Sequence, residues 1–338
     1  MTPEEYMQIA IEEAKKGSGF TSPNPLVGAV LVKDGKIVGK DYHHKYGEFH
    51  AERNAILNCK EDLAGASLYV TLEPCCHYGK TPPCTQIIIE RGIEKVYIGS
   101  YDPNPKVNGG GIKQLKDAGI EVVTEVLKEE CDALNPVFFH YIEKKEPYVV
   151  LKYAMTADGK IATRTGASKW ITGEAARKRV QYSRKIYSGI MVGIGTVLAD
   201  DPMLTCRLEN AKNPVRIICD SSLRIPLDSN IVKTAKEVPT IIACTISKEG
   251  KEKSKQDLII EEKIEKLQQA GCEVFPIGRT KTGVDLKELM KLLGEKGIDS
   301  ILLEGGSSLN YSALQAGIVS KVETYIAPKI FGGELAKT

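Results

Sequence analysis

The sequence predicts an α/β protein built as two domains. A length of 338 residues exceeds what one hydrophobic core normally organises. In the first part of the chain helix, hairpin, helix, strand, helix, strand, helix and strand follow one another, the order of a three-layer α/β domain with a mixed sheet. The charged stretch Glu143 to Pro147 then marks a boundary, and a second α/β pattern follows it.

Thr2-Pro3-Glu4-Glu5 offers an N-cap, a proline at the first helical position and a glutamate three residues on, and Met7, Ala10, Ile11 and Ala14 repeat at helical spacing to about Lys16. Gly17 to Pro25 reads as loop, Leu26 to Val32 as a strand, and Asp34-Gly35 as a hairpin turn returning through Ile37-Val38. A helix is expected from His50 to Asn58 and a strand from Ser67 to Leu72. Pro82-Pro83 should start a helix ending at Ile87 to Ile89, followed by a strand at Lys95 to Gly99. Gly109-Gly110-Gly111 precedes a helix at Gln114 to Ala118, and Ile120 to Val123 is a further strand. Leu127 to Lys145 reads as helix broken at Pro136. In the second half strands are expected at 148–154, 189–193, 215–220, 240–244, 273–277, 301–304 and 322–326, and helices at 174–185, 259–270, 286–294 and 307–316. No internal repeat is visible.

Composition narrows the function. The net charge is +2 with no long Lys/Arg run, which argues against a nucleic-acid partner. No run approaches the roughly 18 apolar residues of a membrane helix, and the N-terminus carries Glu4 and Glu5 where an export signal would be basic. A cytoplasmic protein is expected. Nine cysteines, an odd number, fit reduced thiols and a metal better than a disulfide framework.

The chemistry concentrates between His50 and Cys84. His50, Cys75 and Cys84 form a one-imidazole, two-thiolate set that leaves a tetrahedral zinc ion one open position, the layout of a catalytic site. Glu52, two residues beyond His50, would act as proton carrier and not as ligand, and the pattern is that of the zinc nucleobase deaminases. A thiol at the start of the helix after Pro83 has its thiolate favoured by the helix dipole. Cys76 and His77 are available as a fourth ligand, which would close the site into a structural one, so that alternative stays open here. Asn24, between two prolines, reads equally as a base-contacting amide and as a turn asparagine. His43 and His44 stand one short segment from the metal helix. Asp102 and Asn104 follow a strand end, where ligands of open α/β sheets gather. In the second half Glu304-Gly305-Gly306-Ser307 joins a strand end to a helix start whose N–H groups suit a pyrophosphate, although it is not the Gly-x-Gly-x-x-Gly of a Rossmann site.

Asn24 in Pro-Asn-Pro, His50-Ala-Glu52, Thr71 to Cys75, the Lys80 to Cys84 insertion and Asp102-Pro-Asn104-Pro resemble the bifunctional riboflavin-biosynthesis deaminase/reductase family. Lys152 to Ala162, Ser168 to Gly173, Gly195 to Pro202 and Glu304 to Ser307 continue the match over nearly the whole chain. The resemblance implies a cytidine-deaminase-like domain at 1–146 and a dihydrofolate-reductase-like domain at 147–338. It implies zinc-dependent hydrolytic deamination of 2,5-diamino-6-ribosylamino-4(3H)-pyrimidinone 5′-phosphate, then NADPH-dependent reduction of the ribosyl to the ribityl side chain. Zinc goes to His50, Cys75 and Cys84, catalysis to Glu52, and the deaminase pocket to Asn24, His43, Lys80, Asp102 and Asn104. Cys76 stands where the family often has serine and is set aside as a ligand. Ser168, Arg184, Leu204, Arg207 and Glu304 match substrate contacts in the reductase, with both arginines suited to a phosphate. Ala154, Trp170, Thr172, Thr196, Asp200, Ser222 and the run Gly306, Ser307, Ser308, Leu309, Asn310, Tyr311 and Ser312 match the NADPH side. Tyr182 stands where many relatives have histidine.

The partner is then a small-molecule ribotide, with neither nucleic acid nor membrane, and a homo-oligomer stays open. A deaminase acting on a nucleoside or RNA base, and a structural zinc with a ligand-sensing second domain, are the competing readings. Relatives generally continue past the strand at Val322 to Ile326, so the sequence leads us to expect a shortened reductase domain, less stable than the deaminase domain unless a partner subunit covers that edge.

Overall fold

A computed structural model describes residues 1–165, 170–245, 255–333 and 336, with the side chains of 255–258 left aside. The chain divides into two compact units, Met1–Lys145 and Glu146–Thr338.

The first unit holds α1 (Pro3–Lys15), β1 (Gly28–Lys33), β2 (Lys36–Tyr42), α2 (Ala51–Asn58), β3 (Ser67–Leu72), α3 (Cys84–Glu90), β4 (Lys95–Ser100), α4 (Gly110–Asp117), β5 (Glu121–Val123), α5 (Lys128–Asp132) and α6 (Pro136–Lys144). Its sheet runs β2-β1-β3-β4-β5, antiparallel across β2, β1 and β3 and parallel across β3, β4 and β5. Because side chains alternate along a strand, Ala29 and Leu31 of β1 and Leu68 and Val70 of β3 enter one core with Ala55, Ile56, Ile88 and Leu115. Val30, Val32 and Tyr69 enter the other, with Tyr6, Met7, Ala10 and Ile11 of α1. The three layers follow from that alternation. The expected capping box forms, Thr2 accepting from the Glu5 N–H and Glu5 from the Thr2 N–H. A Cβ on Gly28 would meet the Ala10 carbonyl at 1.9 Å, so only glycine lets α1 lie this close to β1.

Two boundaries differ from the sequence expectation for tertiary reasons. β1 starts at Gly28 and not at Leu26, because the Asn135 side chain takes both Leu26 backbone groups, accepting its N–H at 2.7 Å and donating to its carbonyl at 2.9 Å. α4 starts at Gly110, four residues early, because the Glu73 carboxylate caps it and offsets the poor helix propensity of the glycines. The stretch expected as one broken helix over 127–145 is two, α5 and α6, with Asn135 between them.

The second unit holds β6 (Tyr148–Thr156), α7 (Glu174–Ile186), β7 (Gly189–Gly193), α8 (Ile194–Asp200), β8 (Val215–Cys219), α9 (Asn230–Lys233), β9 (Thr240–Cys244), α10 (Lys255–Gln269), β10 (Glu273–Pro276), β11 (Arg279–Thr280), β12 (Gly283–Val284), α11 (Leu286–Glu295), β13 (Ser300–Gly305), α12 (Ser307–Ala316) and β14 (Val319–Ala327). The seven-stranded sheet runs β10-β9-β8-β7-β13-β6-β14 with every pair parallel. β14 is the edge strand, paired to β6 from Val319 to Ala327. The chain winds outward from β7 through β8 and β9 to β10, while β6 lies across β13 on the other side. That reversal opens a crevice at the carboxyl ends of β7 and β13. Sequence periodicity missed α8, α9 and the small β11–β12 hairpin, all too short to show a repeat.

Arg216 is the largest fully buried side chain of this unit. Its guanidinium donates to the hydroxyls of Thr240 and Thr234 and to the carbonyls of Met203, Ile231 and Val238, at 2.8 to 3.3 Å, and no carboxylate is among these partners. Arg216→Met should lower the denaturation midpoint of this unit, with a loss of roughly 2–4 kcal/mol, because the buried Ile231 carbonyl loses its donor, the Val238 carbonyl keeps only the Thr240 hydroxyl, and the Thr234 and Thr240 hydroxyls lose a partner. An unchanged midpoint in urea would show that these loops close without the guanidinium.

Candidate functional site

In the first unit, α2 and the strand ends of β3 and β4 aim their side chains into one cavity of about 420 Å³. His50 is the N-cap of α2, Cys75 follows β3 and Cys84 opens α3. One donor atom from each lies within 4.8 Å of the others, with His50 Nδ1 3.4 Å from Cys75 Sγ and 3.5 Å from Cys84 Sγ. This is the one such three-donor group among the described residues. Cys76 turns its thiol to the Lys106 carbonyl instead, and His77 lines the cavity with its buried Nδ1 unpartnered. The Cys84 thiol and backbone N–H both point at Cys75, and with His50 they push the Cys75 thiol down to about 4. Cys84, beside that thiolate and fully buried, is pushed up despite its place at a helix start.

Glu52 sits in the first turn of α2 at 3% exposure, and its Oε2 has no hydrogen-bond partner. Burial raises its carboxyl to about 7. A buried acceptor without a partner, next to three metal-type donors, is the arrangement expected where a metal and a water complete the site.

The remaining wall residues hold one another. His43 is buried, its Nδ1 2.9 Å from the Phe49 carbonyl and its Nε2 3.1 Å from the Asn24 amide nitrogen. Burial lowers its pKa, so the neutral ring donates to Phe49 and accepts from Asn24. Asn24 is thus fixed as a cavity wall and is more than a turn residue. Burial pushes Asp102 up to about 6, and its Oδ1 accepts the Asn104 N–H at 2.8 Å. Lys80 lies 3.9 Å over the Tyr46 ring at the cavity wall, while Lys106 also lines it. His44 turns to Asp41, outside this wall.

Glu73 was not singled out from sequence. It is buried immediately before Pro74-Cys75 and accepts the N–H groups of Gly109, Gly111 and Ile112 at 3.0 to 3.1 Å. A Cβ on Gly111 would meet the Pro74 carbonyl at 2.0 Å, so α4 is pressed against the segment that carries Cys75. The signal in the sequence was a carboxylate facing a run of three glycines.

In the second unit the crevice is a cavity of about 800 Å³ lined by Thr196 and Asp200 of α8, Ser222 after β8, and Gly306, Ser307, Ser308, Leu309 and Ser312 at the start of α12. Gly305 and Gly306 take φ of +118° and +62°, which only glycine adopts freely, and so turn β13 into α12. Tyr311 lines an adjoining open pocket, and the buried Asn310 Oδ1 has no partner. Ala154 lies in β6, while Trp170 is exposed beneath the Arg177 guanidinium at 4.8 Å, and Thr172 accepts from Arg177 at 2.8 Å; none of the three lines this cavity. Ser168 lies outside the described residues.

Arg184 is engaged by its neighbours. Its Nε and Nη2 grip both oxygens of Glu304 at 2.6 and 2.9 Å and its Nη1 donates to the Thr205 carbonyl at 3.0 Å, so the two expected substrate contacts Arg184 and Glu304 are brought together as one pair. Leu204 is buried beside that pair, with φ of +52°, and Arg207 is exposed. Lys152, noted in the sequence only as part of a strand motif, is held below the usual lysine range by burial and feels the charges of Glu304 and Arg184. Arg179 lies 5.1 Å over the Tyr182 ring.

The raised Glu52 carboxyl sets a pH dependence for the metal-free protein. Its folded value of about 7 exceeds the ordinary 4.5, so the folded form binds the proton more tightly, and stability is lost as pH rises from 4.5 through 7. Metal-free Glu52→Gln should therefore be more stable than the parent at pH 8, by up to roughly 3 kcal/mol, and equal to it near pH 4. Equal stability of the two at both pH values would contradict a desolvated carboxylate.

Comparison with known proteins agrees with both halves. Residues 1–100 match the family described as the cytidine and deoxycytidylate deaminase zinc-binding region, and residues 147–338 match the RibD C-terminal domain. The chain is 61% identical over 338 residues to the riboflavin biosynthesis protein RibD of Actinobacillus pleuropneumoniae, covering all of this chain and 87% of the relative. It is 46% identical to RibD of Bacillus amyloliquefaciens, over 98% of this chain and 86% of that one. Among solved structures, the diaminohydroxyphosphoribosylaminopyrimidine deaminase/5-amino-6-(5-phosphoribosylamino)uracil reductase of Thermotoga maritima superposes with a TM-score of 0.83 at 42% identity, covering 98% of this chain and 88% of that chain. RibD of Acinetobacter baumannii superposes at 0.85 with 36% identity, covering 99% and 89%. With a deaminase fold and a RibD reductase fold in one chain, this protein belongs to the RibD family of bifunctional riboflavin-biosynthesis enzymes.

Proposed function

We propose that residues 1–146 deaminate 2,5-diamino-6-ribosylamino-4(3H)-pyrimidinone 5′-phosphate and that residues 147–338 reduce the ribosyl side chain of the product to ribityl with NADPH. The observation that carries the first half is Glu52, a buried carboxyl with a free oxygen beside His50, Cys75 and Cys84. These three would hold a zinc ion, which when bound supplies a Lewis acid and acidifies water to near neutrality.

The chain's own groups do the rest. With its carboxyl raised to about 7, Glu52 exchanges protons near neutral pH: as carboxylate it takes the proton of the attacking water at Oε2, gives it to the ring nitrogen, and carries the water's second proton to the departing amine. Asn24, locked by His43, and Asp102, locked by the Asn104 N–H, hold the pyrimidine edge. Lys80 and Lys106 are the cations of the wall and suit the 5′-phosphate. In the second unit the Gly306–Ser308 turn presents α12 N–H groups to the cofactor pyrophosphate, and Thr196, Asp200 and Ser222 line the rest of its cavity. Arg184, oriented by Glu304, and the exposed Arg207 are the guanidiniums suited to the ribotide phosphate. All nine thiols are unpaired, which suits a reducing cytoplasm. No described helix is long and apolar enough to cross a membrane.

The test supplies the diaminopyrimidinone ribotide with and without NADPH and follows ammonia and the cofactor absorbance. Ammonia should appear without NADPH, and cofactor oxidation should follow deamination. Cys84→Ala should lose bound zinc and ammonia release while still oxidising NADPH on the deaminated product, since the two units have separate cores. Cofactor oxidation on the undeaminated ribotide at the same rate would reverse the order, and equal loss of both activities in Cys84→Ala would refute independent sites.

A further inference from the structure

We propose that Arg224 makes the reductase site prefer a phosphorylated nicotinamide dinucleotide to its unphosphorylated counterpart, by gripping the phosphate on the adenosine ribose. The inference rests on the reading of the 800 Å³ cavity as the nicotinamide-nucleotide site. NADPH and NADH differ by that one phosphate, so discrimination needs a cation where it falls.

Arg224 is the one cationic side chain among the described residues that line the cavity, and it carries no hydrogen bond or ion pair among them. Asp200, the one acid on the wall, has bonding of its own. Leu223 and Ile225, on either side of Arg224, are buried at 4% and 0% exposure, which leaves the guanidinium turned outward to the cavity.

The loop is fixed in advance. Asp220, fully buried, accepts the Ile225 N–H at 2.8 Å, and its carbonyl accepts the Leu223 N–H at 3.1 Å. The Ser221 carbonyl takes both the N–H and the hydroxyl of Thr245, at 3.2 and 2.8 Å. Binding at Arg224 therefore orders one side chain and not a loop. Ser221, Ser222 and Thr282 bring hydroxyl donors to the same cavity. The glycine turn before α12 already offers N–H groups for the pyrophosphate, so an unpartnered guanidinium on a different loop fits a separate third phosphate.

NADPH and NADH titrations, followed by nucleotide fluorescence on the full chain, test this. The parent should bind NADPH more tightly than NADH, by about ten- to a hundredfold for one charge-assisted contact. R224A and R224Q should lose that margin on NADPH while changing NADH affinity less than about twofold, and R224K should restore part of it. Raising the salt should weaken NADPH binding to the parent more than to R224Q. An equal loss for both nucleotides would make Arg224 a loop support, and no loss for either would remove it from the site; each result overturns the proposal. If the parent binds neither nucleotide, the cofactor reading of the cavity fails and this inference with it, whereas parent binding with unchanged variants sinks the inference alone.

Discussion

The deaminase half depends on where one carboxylate is buried. Glu73 directly follows β3, and the three N–H groups it accepts belong to the first turn of α4 and the glycine before it. Without that acceptor a helix starting on glycines would leave buried donors unpaired. With it, α4 lies so close to Pro74 that residue 111 has no room for a side chain. Cys75, the next residue, is thereby held at a fixed height above the sheet, within reach of His50 and Cys84. A bond between a strand end and a helix start thus sets the spacing of the three donors.

Both candidate sites obey the same rule of α/β architecture, that ligands gather at the carboxyl ends of parallel strands. In the first unit the ends of β3 and β4 supply Cys75 and Asp102. In the second the ends of β7, β8 and β13 supply Thr196, Ser222 and Gly306. The electrostatics differ. The deaminase pocket is a place of desolvation, which raises Glu52 and Asp102 into the range where a carboxyl exchanges protons at neutral pH. The reductase crevice is wider and lined by hydroxyls and glycine backbone, a surface suited to holding a charged nucleotide.

Much of this was legible in the sequence because it is written locally. The Asp34-Gly35 turn, the Thr2 and Glu5 capping box and the strand Ser67–Leu72 follow from residues close in sequence, and the structure has each of them. His50 and Glu52 share the start of α2, so their spacing alone placed both in the pocket. What the sequence hid is side-chain bonding across long separations. Asn135 shapes the start of β1 from 109 residues away, Arg184 reaches Glu304 across 120, and Glu73 caps glycines more than 30 residues on. None of these leaves a periodic trace. The chemistry of Arg184 suits a phosphate as well as a carboxylate, and only the fold shows that it pairs with Glu304.

Hydrolytic deamination at Glu52 requires an open metal shell in the first unit, with three protein donors and no fourth. X-ray absorption at the zinc edge of the purified protein measures that shell directly. It should show two sulfur neighbours at about 2.3 Å, one imidazole and one further light atom that exchanges with solvent. A shell of three sulfurs, or of four protein donors with Cys76 or His77 included, would make the site structural and would contradict the deaminase chemistry assigned to Glu52.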